Sequence, residues 1–454
     1  MTMTVDSGVQ GALDLLMDEY AADRPKSRAL FERALKVMPG GNTRTQVYFP
    51  PFPFYVDSAD RARITDVDGH TYLDLVGNYT SLVHGHPSKA LIQAIVDQVH
   101  KGTAFGAPTS LEIELAEALC ARVPSMESVR FTNSGTEAVI YATRAARLFT
   151  GRDDLIRAEG GYDGGHDGMQ VGLKTFSDGG ASSPELGVPS WVADHTYLIP
   201  FNDIEGTLEV IDRVGSRSAA VVIEPVQGYA GHLPAHPEYL QAVRAACDQV
   251  GCLLIFDEVL TFRLSYGGAQ EFYGVQPDLT ALGKLIGGGL PVGAFGGRKD
   301  VMALFDPRNV SVPFHGGTFN ANPMSLAAGL CYLEELDKAS IQRINEAGDM
   351  LRESINRHAI AADLPIVASG TGSLLRLHGG TEAPRSARDA LSRNTAVPEL
   401  MFYSLMNERV FMGTKRGVMC MSTALEEADV IEASSAFEKA ISRVSRLLKE
   451  GATG

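Results

Sequence analysis

Two short apolar runs, each closed by a carboxylate, limit what this chain can fold into more than any other feature. Ala219-Ala220-Val221-Val222-Ile223 leads into Glu224-Pro225, and Cys252-Leu253-Leu254-Ile255-Phe256 leads into Asp257. Short runs with no polar alternation read as strands buried on both faces. The stretch between them, 239–250, has helical spacing, with Gly251 placed to end it. The same alternation extends from about 91 to 324, with a helix expected over 112–122, a strand over 128–132 and a helix over 136–149. Strand, helix and strand in succession imply an α/β domain built on a mainly parallel sheet.

The flanks read differently. Arg63-Ile64-Thr65-Asp66 and Thr71-Tyr72-Leu73-Asp74 are expected to be two strands joined across Asp68-Gly69. Beyond Met324 one long helical stretch is expected to about His358, then mixed strand and helix. We therefore divide the chain into an N-terminal helix and hairpin segment at 1–75, a large α/β domain at 76–330 and a smaller α+β domain at 331–454, the smaller domain drawing on both chain ends. The Gly-, Ser- and Pro-rich stretch 176–192 reads as a long loop and a candidate lid.

Composition excludes several classes. A formal charge of −15 over 454 residues argues against a nucleic-acid binder, which would present a basic face. There is no basic and apolar leader at the start of the chain and no apolar stretch of membrane-spanning length, so a cytoplasmic protein is expected. The cysteines at 120, 247, 252, 331 and 420 are odd in number and scattered, which suits neither a disulfide framework nor a zinc site. Cys247 and Cys252 are expected to be packing residues.

Chemistry concentrates where the strands end, which is where open α/β sheets bind ligands. Lys284 lies in Ala281-Leu282-Gly283-Lys284-Leu285-Ile286-Gly287-Gly288-Gly289, where an ammonium ion gains little from water. Desolvation lowers such a lysine's pKa, and a neutral amine can attack a carbonyl. A glycine-rich turn with an incidental lysine is the plainer alternative. A Walker loop is excluded, since Asp278 stands where its first glycine belongs and Leu285 follows the lysine. A dinucleotide fingerprint opening at Gly287 fails at Val292. Asp257 closes an apolar strand, where a carboxylate is costly unless it meets a cation. Ser134-Gly135-Thr136 opens a helix and suits a phosphate, although simple capping explains the hydroxyls equally. A phosphate cup, a buried carboxylate and a desolvated lysine are the three anchors that pyridoxal 5′-phosphate needs.

With these residues in view, the sequence resembles the class III, fold-type I pyridoxal-phosphate aminotransferases, in the branch of glutamate-1-semialdehyde aminomutases and β-amino-acid aminotransferases. The matching stretches run in family order: Pro39-Gly40-Gly41-Asn42-Thr43-Arg44, Asn133 to Ala138, Gly161-Tyr162, Glu224-Pro225-Val226, Phe256-Asp257-Glu258-Val259, Leu282 to Gly293 and Gly317-Thr318-Phe319. The resemblance implies Lys284 as the Schiff-base lysine and proton shuttle, and Asp257 as the partner of the pyridinium nitrogen. It implies Ser134, Gly135 and Thr136 at the phosphate, Tyr162 and Val259 on the two ring faces, and Glu224 beside the cofactor. It further implies a homodimer in which Thr318 reaches the neighbouring subunit's phosphate, a core threonine being the alternative.

Two departures stand out. Asp163 follows the stacking tyrosine where family members often carry histidine, and Leu260 replaces a glutamine that many relatives place on the pyridine hydroxyl. Gln227 is only a guess for that partner. Arg44 matches the substrate-carboxylate arginine of this branch, and Tyr79 replaces the tryptophan of aminomutase pockets. Arg416, in Lys415-Arg416-Gly417, matches a region where β-amino-acid aminotransferases carry an arginine, a solvated basic loop being the alternative. Against this, Phe105 to Thr109 and the loop after Tyr162 are closer to the aminomutase pattern. The preferred expectation is an aminotransferase moving an amino group from an amino acid, a β-amino acid by preference, to 2-oxoglutarate or pyruvate. An intramolecular aminomutase is the alternative. No metal is expected; a metal hydrolase using His84, His86, His166 and Asp167 lacks a recognisable ligand spacing, and a non-catalytic binder would not need both Lys284 and Asp257.

Overall fold

In the computed structural model, seven strands form one sheet in the spatial order 128–132, 293–297, 279–283, 253–257, 218–223, 154–158, 196–199. The structure describes residues 7–174, 185–413, 415 and 417–451. The five strands from 279–283 to 196–199 run parallel, while Gly293–Gly297 runs antiparallel to both of its neighbours. The apolar runs behave as their composition requires: every residue of Ser218–Ile223, Leu253–Asp257 and Leu279–Gly283 is buried. Helices cover both faces, with Ala138, Ala142, Leu155, Val222 and Ile255 in one core and Ile156, Val221, Tyr239, Leu240 and Leu254 in another.

The expected elements occur close to where the spacing puts them. The helices span Ser110–Arg122, Gly135–Thr150 and Pro237–Val250, the last closed by Gly251 at φ 68°. The hairpin strands are Arg63–Asp66 and Thr71–Asp74. They belong to a four-stranded sheet that adds Val56–Asp60 on one side and Val410–Phe411, parallel to Thr71–Asp74, on the other. One expectation fails: the helical stretch after Met324 is two helices, Pro323–Glu335 and Lys338–Ala362. The chain leaves helical geometry at Leu336, and Asp337 caps the second helix by accepting from Ser340 N at 2.7 Å. Of the expected loop 176–192, residues 176–184 lie outside the described residues, and Ser190–His195 forms a 3₁₀ turn. Cys247 and Cys252 are buried core residues.

Glycines bring the ligand-binding strand ends together. A Cβ on Gly293 would lie 2.1 Å from the Ser134 carbonyl oxygen, and one on Gly283 would lie 3.3 Å from Gly135 Cα. Without side chains there, the turn carrying Ser134 and the turn carrying Lys284 close on each other. Among the described residues no helix is long and apolar enough to cross a membrane.

Candidate active site

Lys284 follows the last residue of its strand and takes a left-handed φ of 51°, which turns the chain sharply out of the sheet. Burial pulls its ammonium pKa below the usual lysine range, while Glu224 and Asp257 act in the opposite direction. Asp257 closes the adjacent strand, 4% exposed, and its Oδ1 accepts from Val259 N at 2.9 Å. Burial, and then the charge of Asp163, push its carboxyl up to about 8. Glu224 closes the next strand over; burial and its acidic neighbours raise it well above the usual range. Its carboxylate accepts from Tyr162 N at 2.7 Å and Gly228 N at 3.3 Å, which ties the loop bearing Tyr162 to the sheet.

Asp163 completes an acidic cluster. It is 1% exposed and its Oδ2 accepts from Arg157 Nη2 at 2.7 Å, while its Oδ1 is buried with no hydrogen-bond partner. Arg157 is fully buried and also donates to the carbonyls of Gly161, Met169 and Val171, so one guanidinium holds the whole turn around Tyr162. Arg157 is a further site residue that belongs to none of the motifs above. A charged residue inside the apolar run Leu155-Ile156-Arg157-Ala158 was the available signal, by the same logic that picked out Asp257. The Arg157–Asp163 ion pair accounts for a buried aspartate directly after Tyr162.

Ser134 caps the helix Gly135–Thr150, its Oγ accepting from Glu137 N at 3.2 Å, and Glu137 reaches back to Asn133 N at 2.8 Å. The first helical N–H groups, those of Gly135 and Thr136, have no carbonyl within the helix to bind and suit an anion. A Cβ at Gly135 would meet Val259 Cγ2 at 2.7 Å, so the cup and the Val259 side chain are in contact. Thr136 Oγ1 accepts from Gly165 N at 3.2 Å, just past Tyr162, which is 47% exposed. Ser134, Gly135, Thr136, Glu224, Asp257, Val259 and Lys284 thus share one end of the sheet, with Tyr162 on the loop above it. Gln227 is fully buried and its amide donates to the Glu159 carbonyl at 2.8 Å; Leu260 packs among Val226, Leu264, Leu374 and Cys420.

Arg44 and Tyr79 lie together: the guanidinium carbon is 5.6 Å from the Tyr79 ring centre, and Nη1 donates to Asn78 Oδ1 at 2.9 Å. Thr318 is exposed, on a loop tied to the phosphate-cup turn through the 2.8 Å bond from Asn133 to Asn320. Arg416 lies outside the described residues. A cavity of about 530 Å³ lies elsewhere, between the ends of Lys338–Ala362 and Glu427–Gly451, and holds none of these residues. His84 is bonded to Thr423 and the Tyr332 carbonyl, and His86 to Asp74; among the described residues no His, Cys, Asp and Glu cluster is placed to hold a metal ion.

The donor set fits pyridoxal 5′-phosphate. The buried acids, one with an unpartnered oxygen, call for a cation, the helix that opens at Gly135 offers free N–H groups to an anion, and burial lowers the pKa of Lys284 at the same end of the sheet. A mainly parallel sheet with this lysine beyond one strand and this aspartate at the end of the next defines a fold-type I pyridoxal-phosphate enzyme. The Aminotransferase class-III family model matches residues 46–383. The glutamate-1-semialdehyde 2,1-aminomutase of Methanopyrus kandleri is 37% identical over 94% of this chain and 99% of its own length. The beta-phenylalanine transaminase of Variovorax paradoxus is 38% identical over 89% of this chain and 90% of its own. A transaminase solved with PLP bound has the same fold, with a TM-score of 0.87 and 40% identity, covering 94% of this chain and 99% of that one. The chain belongs to the class-III aminotransferase family and is a pyridoxal-phosphate-dependent aminotransferase.

Proposed function

We propose that this enzyme takes the amino group of a β-amino acid and passes it to a keto acid such as 2-oxoglutarate or pyruvate, releasing the first product before the acceptor enters. The observation that carries this reading is the Arg44–Asn78–Tyr79 group, a guanidinium oriented by an amide and an aromatic ring. Arginine pairs with carboxylates in a fixed fork, so Arg44 sets where the donor's carboxylate rests. The similarity to a β-phenylalanine transaminase supports the donor class. Arg416 is proposed to hold the second carboxylate of a dicarboxylate acceptor.

Bound pyridoxal 5′-phosphate supplies an electron-accepting ring. The chain supplies the rest. Asp257 holds a cation at the ring nitrogen, and Ser134, Gly135 and Thr136 hold the phosphate. Tyr162 and Val259 confine the ring faces, and Glu224 fixes the Tyr162 loop. Lys284 Nζ, whose ammonium pKa burial lowers, would accept a proton from the donor carbon that bears the amino group and deliver it to the cofactor's aldehyde carbon, and would run the same transfer in reverse with the acceptor. We place Thr318 at the partner subunit's phosphate in a homodimer; exposed Val310, Phe314 and Phe319 on its own loop support an apolar contact there.

Three substitutions test this. Gly135→Ala pushes a methyl group into Val259, and cofactor affinity is expected to fall about tenfold, roughly 1.4 kcal/mol, in a fluorescence titration of the apoenzyme. Unchanged affinity would remove Gly135 from the cup. In a panel of α- and β-amino donors with either acceptor, Arg44→Ala is expected to raise KM for carboxylate donors about 10- to 100-fold, since hydrogen bonds to charged groups contribute ~1.5–3 kcal/mol. Arg416→Ala in the same panel should weaken 2-oxoglutarate more than pyruvate. Product formed from a single substrate with no acceptor consumed would mean an aminomutase instead.

A further inference from the structure

Directly beside Arg44 the backbone does something unusual. Gly77, Asn78, Tyr79 and Thr80 all have left-handed φ values, 51°, 48°, 55° and 76° in order, and only the first is glycine. For Asn78 and Tyr79 both angles fit a left-handed helix, with ψ of 55° and 51°. L-residues visit this region singly, and a β-branched residue there is a genuine outlier. Thr80 is also 2% exposed, and its hydroxyl is buried with no hydrogen-bond partner. Such a turn persists only when its surroundings impose it.

The surroundings do so from both sides. Asp74 Oδ1 accepts from Val76 N at 2.9 Å and Gly77 N at 3.2 Å, and its Oδ2 is fixed by His86 at 2.9 Å. The Cys420 thiol donates to the Val76 carbonyl at 3.0 Å, and Cys420 N donates to the Leu75 carbonyl at 2.7 Å. Inside the turn, Thr80 N binds the Val76 carbonyl and Leu82 N the Gly77 carbonyl. The turn's outward face holds the segment bearing Arg44: Asn78 accepts from the guanidinium, the Tyr79 ring lies beside it, and Tyr79 OH donates to the Gln46 carbonyl at 3.2 Å. A right-handed or extended path at 78–80 would carry Tyr79 and Asn78 away from Arg44.

We propose that this left-handed turn is a strained positioning element that sets the Arg44–Tyr79 carboxylate site, with Thr80 as a positioning residue; the inference rests on the donor reading above. Thr80 touches no reactant. It acts by holding Tyr79 and Asn78 where the clasp of Asp74 and Cys420 puts them.

The test compares Thr80→Gly with Thr80→Ala in the holoenzyme. Both lose the hydroxyl and the methyl, but only glycine relaxes a positive φ. In an unstrained position alanine is the more stable of the two, whereas at positive φ the order reverses. The glycine variant is therefore expected to melt about 2 °C above the alanine variant. Its KM for carboxylate donors should be about fivefold higher, because misplacement of binding groups is felt strongly. An amine donor with no carboxylate should show equal KM in both. Alanine melting at or above glycine, or equal KM values for carboxylate donors, overturns the proposal, as does a parallel rise for the carboxylate-free amine. If neither variant at the buried position folds, Asn78→Gly against Asn78→Ala repeats the test at an exposed site where both lose the same bond to Arg44. Failure of the donor reading shows separately, as an Arg44→Ala enzyme whose KM for carboxylate donors is unchanged.

Discussion

Lys284→Ala is expected to lower kcat by at least ~10⁴-fold, the upper range for a positioned proton-transfer group, with the loss of a nucleophile added. Borohydride treatment of the wild-type holoenzyme should fix the cofactor's mass on Lys284, and the variant should carry none. The size of the effect follows from how the residue is built in. Its strand is buried throughout, the chain turns at φ 51°, and Glu224, Asp257, Cys420 and Arg263 all lie near enough to act on its charge. Burial outweighs the acids, so the amine is held nearer neutrality than any exposed lysine. Lys284→Arg should fail almost as badly, because a guanidinium keeps its proton. Turnover within tenfold of wild type in either variant would rule out the role.

Much of this site was legible before folding because burying polar groups is expensive. Asp257 and Glu224 at the ends of apolar runs, and Lys284 among glycines, each signalled a compensating partner in the sequence alone. Arg157 gave the same signal inside its strand, yet its pairing with Asp163 depends on the path of Gly160 and Gly161, which no periodicity encodes. The turn at 77–80 was hidden for a related reason. Three of its four residues are not glycine, and its conformation is imposed by Asp74 and by Cys420, far along the chain. Distance in sequence also hid the pairing of Val410–Phe411 with Thr71–Asp74, since a two-residue strand carries no pattern of its own. The break at Leu336 was missed because apolar spacing continues across it, while the cap that divides the helices is one side chain.

Asp257→Asn is expected to act in opposite directions on the two forms of the enzyme. In the holoenzyme the amide cannot balance a cation on the ring nitrogen, and kcat should fall about 10³-fold, within the range for removing an electrostatic stabiliser. In the apoenzyme the sign reverses. Burial and Asp163 raise the Asp257 carboxyl to about 8, above its unfolded-state range near 4, so the folded chain binds the proton more tightly than the unfolded one. Stability then falls as pH rises through that window and levels off above it. Asparagine carries no charge to bury and removes this loss. Because Asp163 and Glu224 compete for the same limited positive charge, we set the effect at about 2 kcal/mol, below what the full shift would give. Melting curves of both apoenzymes from pH 5 to pH 9 should show the wild type losing more stability than the variant. At pH 9 the variant should be the more stable of the two. If the variant melts lower across the whole range, Asp257 is supporting the fold, and the electrostatic account of the site fails.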